Sequence, residues 1–307
     1  MDPIYLAAKE KYRLPKLPPS KEPTPFQQQL AKNPYAQALA TPVRMCSLTR
    51  ISLPSFFLQD FEIVTHPDTR EPWYLPRSLV SSHQPLPSPS SEASKSLRPQ
   101  SARPTTFGSK SYTLSRMSLL HAMHVQRSGY DNGHRNFPMP NIKQSRAFQK
   151  YDIKFREDTD TFVLELMRRR TVERMKYLCD LKRGYLVSCK AQEGGEMAVG
   201  VWEDAKMKKG TAAMLWLGPI AGSKGEDIAE PGEFSTLDVE KELKCKIPVH
   251  NLPRLLGPTY VEDLRRYAPH MFGAEVVVLK HRRLTVDLQL RLWKLQGYLA
   301  TFEPFLY

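Results

Sequence analysis

The sequence predicts an α+β fold. A compact C-terminal domain, with a small mostly antiparallel sheet and packed helices, follows long Pro/Ser-rich basic extensions. Three observations lead there. Of 26 prolines, 19 precede Tyr151. Proline lacks the backbone donor and clashes with the preceding turn, so the N-terminal half cannot be mostly helix or central sheet. After residue 150, apolar residues recur at helical spacing or gather in short strand-like runs. Between Ala93 and Arg156 stand twelve Lys and Arg against Asp131 and Asp152, so this stretch carries +10 of the chain's +13.

Residues 1–80 read as an extended N-terminal docking segment. Pro15, Pro18, Pro19, Pro23 and Pro25 interrupt regular structure in 1–30, leaving room for a short helix at Ile4–Tyr12. Asn33-Pro34 starts a turn, and Tyr35–Ala40 fits a short helix ending before Pro42. Leu53, Phe56, Phe57, Leu58, Phe61, Ile63 and Val64 form an apolar cluster too dense for water. It either packs on the C-terminal domain or docks on another protein. Pro72–Pro76 reads as a rigid aromatic segment.

Residues 81–111 hold ten Ser and five Pro. Such a linker buries too little apolar surface to offset its ordering entropy. Residues 112–151 follow as a basic helix and loop, with the helix expected over Thr113–Arg127.

The C-terminal domain is expected to begin at residue 152 and to fold alone. Asp158/Thr159 signal a helix start, Gly184 stops it, and Phe162, Val163, Leu166, Met167, Met175 and Leu178 mark its apolar face. Strands are expected at Tyr185–Lys190, Met197–Trp202 and Thr211–Leu217, the first two joined by a turn at Glu193–Glu196. Residues 218–247 look like an acidic exposed insertion and Pro248–Gly257 like a loop. A helix at Thr259–Tyr267 would use Thr259 and Glu262 as a capping box. Ala274–Lys280 reads as a buried strand, and Leu284–Ala300 as a last helix with Leu288, Leu292, Leu295 and Leu299 on one face.

The charge points to a polyanion. Lys and Arg can hold a phosphate backbone while interleaved aromatic residues (Phe107, Tyr112, Tyr130, Phe137, Phe148 and Tyr151) stack on unpaired bases. The competing reading is a solvated basic linker. The candidate RNA-binding residues are Arg116, Arg127, Arg135, Lys143, Arg146 and Lys150, with Arg168 and Arg169 from the run Arg168–Arg170. Lys280, Arg282 and Arg283, in a loop between a strand and the last helix, complete the set. For Arg168–Arg170 the alternative is a solvated helix face partnered by Glu165 and Glu173.

No motif suggests an enzyme. The chain has no phosphate-cradling Gly-x-x-x-x-Gly-Lys loop, no His-Glu-x-x-His and no Gly-x-Ser-x-Gly elbow. His121 and His124 could share a metal, but no tightly spaced further ligand accompanies them. No catalytic residue, cofactor, metal or small-molecule substrate is expected. The four cysteines form no Cys-x-x-Cys pair, which fits a reducing compartment. No apolar run is long enough for a transmembrane helix. No apolar leader core follows Met1, and Met1–Leu14 lacks the Arg/Ser-rich character of a mitochondrial presequence.

Asn33-Pro34-Tyr35-Ala36, Ala40-Thr41-Pro42-Val43-Arg44, Leu53-Pro54-Ser55-Phe56-Phe57-Leu58 and Pro72-Trp73 resemble the N-terminal block of fungus-specific mitochondrial ribosomal proteins of the small subunit. The resemblance covers roughly residues 31–80, with weaker similarity over Leu284–Ala300. It implies a mitochondrial matrix location and a structural role in the small subunit, with rRNA and neighbouring ribosomal proteins as partners. The alternative is a mitochondrial RNA-binding translational activator or assembly factor, also non-enzymatic.

Overall fold

A computed structural model describes residues 2–13, 22–66, 69, 71–80, 110–124, 155–189, 210–219, 230–238 and 246–301. The chain is α+β, with a five-stranded sheet, a three-stranded sheet and a two-stranded hairpin among these residues. The expected turn at Glu193–Glu196, the strand Met197–Trp202 and nearly all of the Ser/Pro linker lie outside them.

Three helices open the chain: α1 (Pro3–Arg13), α2 (Pro25–Lys32) and α3 (Pro34–Leu39). Proline begins both α2 and α3, where its missing N–H costs nothing. Thr24 and Gln27 form a reciprocal capping box on α2, and Asn33 Oδ1 accepts from Tyr35 N at 2.9 Å to cap α3. The N-terminal arm is therefore helical at 25–32, where the proline count had predicted extended chain.

A hairpin of β1 (Val43–Met45) and β2 (Ser52–Pro54) leads through a 3₁₀ turn into β3 (Leu58–Thr65). β3 is the centre of the three-stranded sheet, between β4 (Pro72–Leu75) and β5 (Ser111–Leu114), both antiparallel to it. The rigid aromatic segment is thus a strand. Its Pro72 is tolerated because it is the first residue of an edge strand. The expected helix at 113–127 begins only at Met117, because Ser111–Leu114 pairs with Leu58–Phe61. Short helices α4 (Arg77–Val80) and α5 (Met117–His124) flank this sheet.

The long helix α6 (Thr159–Asp180) buries Val163, Leu164, Leu166, Met167, Val172, Met175 and Leu178. Asp158 makes no side-chain cap bond and instead chelates the Arg156 guanidinium at 2.8 and 2.7 Å. Then come β6 (Leu186–Cys189), β7 (Thr211–Trp216), β8 (Thr236–Asp238) and β9 (Lys246–Asn251). Next are α7 (Leu252–Leu256), α8 (Pro258–Tyr267), α9 (Pro269–Phe272), β10 (Val276–Lys280) and α10 (Val286–Leu299). The sheet order is β6-β10-β7-β9-β8, antiparallel except between β7 and β9. Val276, Val277, Val278 and Leu279 of β10 are all fully buried, as β-branched residues in a central strand should be.

Two sequence readings are corrected here. Pro248–Gly257 is the end of a strand and a helix, not a loop. α8 starts at Pro258, and its N-cap is Gly257 at φ 87°, with no side-chain cap from Thr259.

The division at residue 152 does not divide the core. Phe61, Ile63, Tyr74, Leu79 and Leu120 share one buried cluster with Val163, Met175, Leu215, Val277, Leu288 and Leu292. The apolar block of residues 53–64 therefore packs on the C-terminal elements. Trp293 of α10 receives Tyr35, Phe56 and Phe57, with ring centroids 4.9, 5.1 and 5.6 Å away. Tyr74 stacks on Phe155 at 4.3 Å. Two nearly buried carboxylates on β3 take cations: Asp60 pairs with Lys110 and Glu62 with Arg77, each at 3.2 Å. Lys110, one of the twelve cations of the basic stretch, thus serves the fold.

Candidate nucleic-acid interface

Three chain segments meet at one end of the five-stranded sheet. α6 ends at Asp180, and the link to β6 is tight: Lys182 takes φ 49° and Gly184 takes φ 65°. β10 runs antiparallel to β6, so the end of β10 returns to the start of β6. The Lys280 N–H donates to the Tyr185 carbonyl at 2.9 Å. The His281 N–H donates to the Gly210 carbonyl at 2.7 Å, just before β7. This brings Lys182 and Arg183 beside Lys280, His281, Arg282 and Arg283. All but the half-buried Lys280 are exposed.

The loop after β10 is held rigidly. Thr285 is fully buried. Its oxygen lies 2.7 and 2.8 Å from the Lys280 and Arg282 carbonyls, which share its one proton, and Oγ1 accepts from the Arg282 N–H at 3.1 Å. Arg282 and Arg283 therefore stand on fixed backbone, which lowers the ordering cost of a contact. The nearby acids are occupied. Asp180 accepts from the Tyr267 hydroxyl at 2.8 Å. Asp287 Oδ2 accepts from Arg291 Nε at 3.0 Å and lies 3.1 Å from Arg174 Nε, the latter out of hydrogen-bond alignment. At the opposite end of the sheet Glu230 binds Asn251, Glu233 pairs with Arg254, Glu275 precedes β10, and Arg265 donates to the Leu217 and Gly218 carbonyls.

The other predicted residues are placed differently. Arg116 sits half-buried between β5 and α5, on the three-stranded sheet. Arg127, Arg135, Lys143, Arg146 and Lys150 lie outside the described residues. The run Arg168–Arg170 splits. Arg168 Nε donates to the Leu255 carbonyl at 2.9 Å, and burial lowers its pKa. Arg170 reaches the Ser78 carbonyl, and burial, with Arg291 nearby, lowers its pKa as well. Arg169 is exposed, 3.6 Å from Glu173. Two of these arginines thus bridge α6 to neighbouring elements, and one faces water. His121 Nδ1 lies 2.9 Å from Asp160 Oδ2, and no metal-binding group of His, Cys, Asp and Glu occurs among the described residues.

No family model, curated protein or solved structure matches the chain.

Sequence reasoning had Lys280, Arg282 and Arg283 but missed Lys182 and Arg183. Their signal was available: two cations between the last apolar residue of a helix, Leu181, and its glycine stop. A further signal is Lys206-Met207-Lys208-Lys209, which precedes Gly210 in the chain but lies outside the described residues. The grouped side chains offer N–H donors and positive charge to phosphate oxygens. They include no nucleophile paired with a base.

Proposed function

We propose that this chain is a structural, non-catalytic component of the small subunit of the mitochondrial ribosome. It would lie in the matrix and bind rRNA and neighbouring ribosomal proteins. The observation that carries this reading is the gathering of Lys182, Arg183, Lys280, Arg282 and Arg283 on one rigid sheet end. Phosphate oxygens are the ligands such a surface fits, because their affinity comes from charge neutralisation and needs no base contact. The chain's net charge of +13 favours the same partner. The similarity of residues 31–80 to the small-subunit family supplies the particular assembly.

The N-terminal helices support a protein neighbour as well. Ile4, Tyr5 and Leu6 of α1 and Phe26 of α2 are exposed, at 77, 60, 44 and 67%. Apolar side chains presented on short helices gain by covering. No helix among the described residues is long and apolar enough to cross a membrane.

A second reading, an RNA-binding translational activator or assembly factor, is favoured by a specific observation. The apolar block of residues 53–64 packs into the chain's own core, so it is not held in reserve for ribosomal neighbours. Sedimentation of the tagged protein from mitochondrial lysate separates the two. Comigration with the small subunit through a high-salt wash is the expected result. Release to light fractions in high salt favours the factor, and absence from mitochondria removes the ribosomal reading.

A further inference from the structure

Beyond Ile51, the large apolar side chains that stay exposed among the described residues are Tyr177, Phe234, Tyr267 and Leu284. Three of these, two of them tyrosines, gather at the cationic end of the five-stranded sheet. Apolar residues exposed singly need no explanation, whereas a group of them set among cations marks a contact surface.

Tyr177 lies in the last turn of α6. The Leu181 N–H donates to its carbonyl at 3.3 Å, and Lys182 and Arg183 follow. The Arg174 guanidinium stands 5.0 Å over the Tyr177 ring, and its Nη2 donates to the Leu284 carbonyl at 2.9 Å. Leu284 follows Arg283 in the chain. One arginine therefore joins Tyr177 to the loop that carries Arg282 and Arg283. Tyr267, at the end of α8, meets the same turn of α6. Its hydroxyl donates to Asp180 at 2.8 Å, and the Lys176 ammonium lies 4.8 Å from its ring centroid.

The charges around Tyr177 separate two kinds of contact. Glu173 and Asp180, both exposed, stand one turn before and one turn after it. Glu173 lies 3.6 Å from Arg169, and Asp180 holds the Tyr267 hydroxyl. Carboxylates on both sides make the ring itself a poor place for a phosphate, which finds Lys182, Arg183, Arg282 and Arg283 next to it. A nucleobase carries no charge and is not repelled. It presents a flat face, and its edge N–H groups can donate to a carboxylate.

Tyr177 keeps 45% of its surface exposed, with a guanidinium over one face. Aromatic rings and guanidinium planes are the surfaces on which unpaired bases stack. Bases in a duplex are already stacked on one another, so only a single strand can use such a ring.

We propose that this end of the sheet binds single-stranded RNA, with one unpaired base stacked on Tyr177 and the adjoining phosphates on Lys182, Arg183, Arg282 and Arg283. The inference rests on the RNA-binding reading above and adds what the cations alone do not supply, a contact that unpaired RNA makes and duplex RNA does not. The test uses the full chain and three RNA probes of about 12 nucleotides: oligo(U), an abasic strand and a duplex of the same length. Tyr177→Ala should weaken oligo(U) binding by about fivefold or more, the loss expected of one stacked base. The abasic strand and the duplex should bind this variant as they bind the wild type. The slope of log K against log salt for oligo(U) should stay the same, because stacking releases no counterion. Tyr177→Trp, which keeps a flat ring, should bind oligo(U) at least as tightly as the wild type. Tyr177 is exposed and alanine is the best helix former, so the fold should survive, and a thermal scan checks it. Unchanged oligo(U) binding by Tyr177→Ala would overturn the proposal and leave the ring to a protein neighbour. An equal loss for oligo(U) and the abasic strand would also overturn it, because the tyrosine would then act only by placing Arg174. Failure of the wild type to bind any of the three probes would overturn the RNA-binding reading itself, and this inference with it.

Discussion

The Lys294 ammonium donates to the Leu58 carbonyl at 2.9 Å, a contact between residues 236 positions apart. It fastens the last helix to the first long strand. Around it, Trp293 takes the rings of Tyr35, Phe56 and Phe57, and Phe61 and Ile63 enter the cluster that contains Leu288 and Leu292. The N-terminal block is therefore part of the folding unit. A fragment of residues 152–307 would expose the apolar surfaces of α6 and α10 that β3 and β4 cover. It should show no cooperative thermal unfolding, whereas the full chain should. A sharp calorimetric transition in the fragment would show that the C-terminal elements form a core of their own.

Lys294 also sets a pH dependence. Burial lowers its pKa from 10.5 to about 8; Asp60 opposes this and Arg170 adds to it. Between about pH 8 and 10.5 the unfolded chain holds a proton that the folded chain has lost. Stability from this group therefore rises with pH across that window, with a limiting slope of about 1.4 kcal/mol per pH unit. Below pH 8 the penalty of the buried charge is fully present. Chemical denaturation of the wild type and of Lys294→Met at neutral pH and near pH 10 checks this. The wild type should gain stability relative to the variant as pH rises. Parallel curves would show that the ammonium is solvated.

Arg168 and Arg169, adjacent in the run of three arginines, should separate by phenotype. Arg168 bonds the Leu255 carbonyl, and its guanidinium lies 3.6 Å from where a Cβ on Gly257 would stand. Arg168→Gln should cost about 1–2 kcal/mol of stability through the lost charged hydrogen bond, with RNA affinity unchanged. Arg169→Gln should change stability by less than about 0.5 kcal/mol, because its exposed pair with Glu173 contributes little. Urea unfolding measures both stabilities, and fluorescence anisotropy with labelled RNA checks the affinity of Arg168→Gln. Equal stabilities for the two variants would refute the division.

Much of the fold was legible because local patterns carried it. The helix from Thr159, the valine-rich β10 and the leucine face of α10 each announce themselves within one segment. β9 and α7 were hidden by Pro248 and Pro253. Pro248 sits one residue before the ladder with β7 begins at Val249. Pro253 lies in the first turn of α7, where Asn251 caps the helix by accepting from Arg254 N at 3.0 Å. Both prolines occupy places where a missing donor does no harm, and a turn reading follows naturally from composition. The site was half legible. Lys280–Arg283 is a local run, but its junction with Lys182 and Arg183 is made by the β6–β10 pairing across about a hundred residues, which no local pattern encodes.

The most direct test of the central claim is the salt dependence of RNA binding by the full chain and by a variant with Lys182→Gln, Arg183→Gln, Arg282→Gln and Arg283→Gln. All four side chains are exposed, so the fold should survive, and a thermal scan confirms it. Each phosphate contact to a single strand contributes about 0.7 to the slope of log K against log salt. The slope should therefore fall by roughly 2–3, and affinity at low salt should drop with it. An unchanged slope, in a variant that still unfolds like the wild type, would contradict the assignment of this sheet end to phosphate.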